Sequence, residues 1–147
     1  MAELSEQDAD EIFPLIALLE ERAALEAARR LTDADFERLA ALHDSLEGHA
    51  AANDADRFFE ANQVFHRALQ EVAGNRWLNQ MIDDLRKVIK LTRRDSLRTE
   101  GRVQQSLAEH RAILAALKAR DPEAAGRAMR EHLLSARAAL ARLQSVR

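Results

Sequence analysis

The chain has 147 residues, the length of one ordinary domain, with no cysteine, 4 glycines and 2 prolines. No disulfide framework or thiolate centre can form, so any bound metal must rely on His, Asn, Asp or Glu. A net charge of −3 without a long basic run disfavours autonomous nucleic-acid binding, and no apolar run approaches a membrane span.

Apolar residues make up 47%, mostly Ala and Leu, and the scarcity of breakers predicts an all-α protein. The first ten residues are polar and acidic, unlike a signal or transit peptide, and read as a flexible N-terminal segment, 1–10. The expectation is a soluble, cytoplasmic helical domain without a membrane segment. A first helix is expected from about Asp10 to Arg30, with Pro14 tolerated in its first turn. Leu15, Leu18, Leu19, Arg22 and Leu25 or Glu26 mark its largely apolar stripe.

Thr32 and Asp35 announce the second helix as a capping-box pair, and Phe36, Leu39, Leu42, His43 and Leu46 follow one face. Asp54 caps the third, Ala55 to Ala73. It carries Phe58, Phe59, Asn62, Phe65, His66 and Leu69 at helical spacing and ends at Gly74-Asn75. Asn62 and His66 stand i, i+4 and share a face among the phenylalanines, where a buried polar group needs a partner. The fourth helix is expected from Arg76 to about Arg94, burying Trp77 or Leu78, Met81, Ile82, Leu85, Val88 and Ile89. A polar stretch containing Gly101 then leads to a helical hairpin broken at Asp121-Pro122, an N-cap followed by proline at the first helical position. His110 lies eleven residues before Asp121 and His132 eleven after it. Antiparallel arms bring both imidazoles to one level, roughly 16 Å from the turn at 1.5 Å per residue. Three histidines and an amide oxygen that can converge in a bundle form a candidate metal site. The expected architecture is an antiparallel bundle of about six helices.

These pieces carry a resemblance. The Asn62-x3-His66 spacing, FHRALQEVAGN over residues 65–75 and EHRAILAALKARDPEAAGRAMREHL over 109–133 are similar to one family. It is the C-terminal effector-binding (FCD) domain of GntR-type transcription regulators, FadR/VanR branch. LLEERAALEAARRLTDADFERL, residues 18–39, fits the family's opening pattern, and the resemblance runs from about Ile12 to Leu140. It makes residues 11–147 an FCD-like helical domain. It implies a divalent transition metal, zinc or nickel, held by Asn62, His66, His110 and His132. It also implies a small organic acid effector completing the coordination, and a homodimer. DNA is then reached only through a winged-helix domain absent from this chain. Such a domain takes roughly 60–70 residues, whereas fewer than fifteen precede the first helix. The family more often has Asp at position 62, and an arginine about where this chain has Ile16. The two differences remove one negative and one positive charge.

Against the metal reading stand three ordinary helix histidines that only hydrogen-bond one another, in a metal-free helical dimerisation module. An enzyme is disfavoured: no carboxylate is placed as an evident general base, and the Glu-x-x-His pair of di-iron bundles is missing. His43 and His49 lack the family spacing and are expected at the surface or an interface. Asp83 and Asp84 are candidate acceptors behind an imidazole, though more simply a solvated acidic face. Arg86, Arg93 and Arg94 are candidates to meet an anion. Phe58, Phe59, Phe65 and Trp77 read as core.

Overall fold

A computed structural model describes residues 5–146, apart from the side chains at 91, 93 and 144–146. Among the described residues every regular element is helical: α1 (Glu6–Arg30), α2 (Asp33–Ala51), α3 (Ala55–Ala73), α4 (Arg76–Ser96), α5 (Arg102–Lys118) and α6 (Pro122–Val146). No described helix is long and apolar enough to cross a membrane. The all-α bundle matches the expected fold class.

Local chemistry sets most boundaries where the sequence placed them. Thr32 Oγ1 accepts from the Asp35 amide at 3.1 Å while Asp35 returns the bond to the Thr32 amide at 2.9 Å, closing a capping box. Gly74 ends α3 at φ 70, a left-handed conformation that costs glycine nothing. Asn75 belongs to the next helix: its Oδ1 accepts from Leu78 N at 3.0 Å. Asp121 Oδ1 caps α6 through Ala124 N at 3.1 Å.

The N-terminus departs from expectation. Residues 5–10, assigned to a flexible segment, are the cap and opening of α1, because Ser5 and Asp8 form a second capping box. Residues 1–4 lie outside the described residues. Pro14 therefore sits inside α1, where it cannot donate to the Asp10 carbonyl.

The phase of α1 also differs. Leu15 and Leu18 are 53% and 58% exposed, whereas Phe13, Ile16, Ala17, Glu20, Ala24 and Ala27 face inward. This alanine-rich face packs most extensively on α6. Small side chains let the two axes approach: a Cβ added at Gly126 of α6 would lie 3.2 Å from the Glu21 carbonyl oxygen. On α4, Leu78, Ile82 and Ile89 enter the core while Trp77, Met81 and Val88 remain exposed. Trp77, expected in the core, is 69% exposed, with the Arg76 guanidinium 5.1 Å from its ring centroid. The core itself centres on Phe58 and Phe65 of α3, as the spacing indicates.

An ion pair ties α2 to α5: Arg111 Nε donates to Glu47 at 3.1 Å. That bond holds the Glu47 carboxyl below its ordinary value, against a smaller upward push from burial. A depressed folded-state pKa contributes stability that is present above the unfolded value and lost as pH falls through the folded one. Glu47 is substantially solvated, so Glu47→Gln is expected to cost under about 1 kcal/mol at neutral pH. In urea titrations the gap from wild type should shrink as pH falls below the ordinary carboxylate value and close once it is below the lowered folded-state value. A gap that does not change with pH through the acid range would show the effect is not electrostatic.

Candidate metal centre

The bundle brings three of the four expected residues into one cluster. His66 on α3, His110 on α5 and His132 on α6 are at most 1% exposed and offer ring nitrogens that lie within 4.8 Å of one another. Two ligands on one zinc ion at about 2.1 Å can be at most ~4.2 Å apart. That is the limit for two ligands in line; tetrahedral donors sit ~3.4 Å apart, so the widest pair would close by up to about 1.4 Å. The narrowest pair already suits a shared ion: His110 Nε2 and His132 Nε2 are 3.3 Å apart.

The rings are packed as well as converged. His110 stacks on Phe65, centroids 4.8 Å apart and planes at 16°. His66 lies parallel to His132 at 5.4 Å. Packing of this kind restricts the rotamers through which a ligand set could be lost.

Asn62 occupies the turn before His66 on α3 and is 5% exposed, and among the described residues its Oδ1 accepts no hydrogen bond. An orphaned buried carbonyl is costly unless something satisfies it. Asn62 shares with His132 the lining of a cavity of about 10 Å³, enough for one water-sized occupant, together with Arg102, Ser96 and Ser106. A larger cavity of about 260 Å³ lies elsewhere, between the α2–α3 turn and the α4–α5 connection, lined in part by Asn53, Asp54, Leu97 and Gln104. It contains none of the imidazoles.

The donor types fit a transition-metal ion: three buried, convergent imidazoles, with the Asn62 amide lining the same small cavity as His132. Bound there, the ion would carry its full double charge, since no anionic side chain is among the four.

Two charged groups that sequence reasoning missed stand against the cluster. Glu20 of α1, 2% exposed, lies with Oε1 3.3 Å from His66 Nδ1 and accepts a short hydrogen bond from Arg86 of α4. Arg86 also donates to Gln63 at 3.4 Å. Glu109 of α5 lies with Oε1 2.6 Å from His132 Nδ1 and accepts from Arg102 at 3.1 Å. Burial pushes the Glu109 carboxyl up, but the bond and charge of His132, with Arg102, outweigh it and hold the group below its ordinary value. Burial lowers the Arg102 pKa, partly offset by Glu109.

The other candidates lie elsewhere. His43, expected at the surface or an interface, is 4% exposed and packs on Phe65 and His110, centroids 6.4 and 6.0 Å away. It followed the apolar face of α2, and that face was the better guide. His49 contacts Ser45 at 3.4 Å. Asp83 accepts from Gln70 and Asp84 from Gln80, so Glu20 takes the place behind His66 that they were considered for. Arg94 pairs with Asp56 at 3.4 Å, and the Arg93 side chain lies outside the described residues. Ile16 is fully buried in the core. Signals for Glu20 existed: with Ala17, Ala24 and Ala27 it shares a helical face of small residues, on which a lone carboxylate is conspicuous.

The FCD domain family matches residues 11–135. The uncharacterized HTH-type transcriptional regulator YdhC of Bacillus subtilis (strain 168) is 29% identical over 137 residues, 90% of this chain and 58% of that protein. Among solved structures, Streptococcus agalactiae GntR is similar with a TM-score of 0.75 at 29% identity, over 88% of this chain and 57% of that one. E. coli McbR/YncC has a TM-score of 0.89 at 23% identity, over 98% and 69% of the two chains, a likeness of fold. The chain thus spans little more than half the length of YdhC and of the streptococcal protein. These matches are to a regulatory domain and not to a catalytic one.

Proposed function

The chain belongs to the FCD domain family, and from that premise we propose that it is the effector-sensing domain of a GntR-type transcription regulator of the FadR/VanR branch. A divalent transition metal, zinc or nickel, is held by His66, His110 and His132, with Asn62 as the weakest donor. A small organic acid completes the coordination. The observation that carries this reading is the approach of two buried Nε2 atoms to 3.3 Å beside a third buried imidazole and an orphaned amide oxygen. Bound in this site, the metal supplies positive charge and open coordination positions to a carboxylate. The protein's part is to present neutral donors and exclude bulk water.

The wider mechanism is a population shift. Effector binding favours one arrangement of the bundle or dimer, and that preference is passed to a winged-helix domain outside this chain, through which DNA is engaged. We assign the homodimer contact to the exposed apolar side chains of α1 and α4, Leu15, Leu18, Trp77, Met81 and Val88, because these two helices pack together and their outer apolar residues lack cover within one protomer.

The test is metal content per chain by elemental mass spectrometry on wild type and His110→Ala, purified without a His-tag. A thermal-shift screen of small mono- and dicarboxylates on metal-loaded and metal-stripped protein follows. Near-stoichiometric metal lost in the variant, with carboxylates stabilising only the loaded form, is expected. Equal carboxylate shifts in both forms would remove the metal from the sensing step.

A further inference from the structure

Two of the three imidazoles are backed by the same sequence of groups. Behind His66 stands Glu20 and behind Glu20 stands Arg86; behind His132 stands Glu109 and behind Glu109 stands Arg102. These six residues come from five helices: α3, α1 and α4 on one side, α6 and α5 on the other. In both cases the carboxylate lies at Nδ1, as a 2.6 Å hydrogen bond at His132 and as a longer 3.3 Å ion-pair contact at His66.

A neutral imidazole has one N–H and one lone pair, on different nitrogens. A carboxylate at Nδ1 draws the proton to that nitrogen and leaves the lone pair on Nε2. His132 Nε2 is the atom that lies 3.3 Å from His110 Nε2, at the centre of the cluster. His110 itself is oriented by stacking on Phe65. Each carboxylate is countered by its own arginine, so the backing layer is neutral as a whole. It raises imidazole basicity and fixes ring orientation without cancelling the charge of an ion held in front.

We propose that Glu20 and Glu109 are positioning residues of the metal centre. Each fixes one histidine as the Nδ1–H tautomer and strengthens its Nε2 as a donor, while Arg86 and Arg102 hold the carboxylates in place. The neutral backing, with Asn62 also neutral, leaves the centre cationic and suited to an anionic effector. This inference rests on the metal reading above.

The probe is cobalt(II), whose visible absorption reports its ligand set. Removing a carboxylate alone would strand a buried guanidinium, so charge-balanced doubles are used: Glu20→Gln/Arg86→Met and Glu109→Gln/Arg102→Met. Glu47→Gln is the control, because His43 Nε2 and Glu47 form a His–Glu contact of 3.3 Å outside the cluster. Circular dichroism establishes that each variant is folded before titration. The expected result is a cobalt dissociation constant raised about 10- to 100-fold in both doubles, with altered visible bands. Glu47→Gln should bind within about twofold of wild type. Cobalt binding within about threefold of wild type in both folded doubles, with unchanged bands, overturns the positioning role. Failure of the wild type itself to bind cobalt would overturn the metal reading instead, so the two failures are distinct.

Discussion

Glu20→Gln is expected to lower the free energy of unfolding by about 3 kcal/mol, while Glu20→Gln/Arg86→Met recovers to within roughly 1 kcal/mol of wild type. Glu20 is 2% exposed and Arg86 9%, and they are joined by a short hydrogen bond across α1 and α4. Breaking a buried pair from one side leaves an uncompensated charge, whereas removing both charges discards their attraction and their desolvation cost together. The two single variants should also differ from each other. After Arg86→Met, the Glu20 carboxyl can take up a proton and become neutral. After Glu20→Gln, the guanidinium has no such escape, because arginine remains charged at any accessible pH. Urea denaturation of the four proteins measures the cycle. A third of the stability of a typical domain is at stake in the worst single variant. A double variant as unstable as the sum of the singles would mean that the pair acts through packing and not through charge.

How much of this was legible beforehand depends on the range of the interaction that decides each feature. The hairpin and its histidines were readable because their placement follows from an integer count of residues on either side of Asp121-Pro122 and from the fixed helical rise. The same holds for Asn62 and His66, one turn apart on α3, and for the Thr32–Asp35 capping box, whose partners are three residues apart. The phase of α1 was not readable from leucine spacing. Hydrophobicity favours the large side chains for the interior, but the close approach of α1 to α6 at Gly126 selects alanines and turns Leu15 and Leu18 outward. On α4 the apolar residues occupy two faces, so periodicity alone could not choose between Leu78 and Trp77. The charged backing of the imidazoles depends on pairs 66 residues apart, such as Glu20 with Arg86, or 23 apart, such as Glu109 with His132. No local rule connects such positions; only the assembled bundle does.

Zinc or nickel at a free concentration a hundred times its dissociation constant should stabilise the wild-type domain by about 2.7 kcal/mol, because an ion that prefers the folded state shifts the equilibrium by mass action. For a domain of this size that corresponds to a rise in melting temperature of roughly 5–10 °C, reversed by a chelator. The unfolded chain cannot compete strongly, since it loses the spatial convergence that gathers His66, His110 and His132 from three helices. His110→Ala should abolish the metal response over the same concentration range, because it removes one of the two nitrogens already 3.3 Å apart. It should also cost the metal-free protein about 1–3 kcal/mol, through the space vacated against Phe65 and the lost partner of His132 Nε2. Differential scanning fluorimetry of both proteins, with and without metal and chelator, separates the two effects. A full zinc shift surviving in His110→Ala would place the ion on the surface. A wild type insensitive to either metal would leave the three imidazoles as a buried hydrogen-bonded network, with any effector held by the bundle alone.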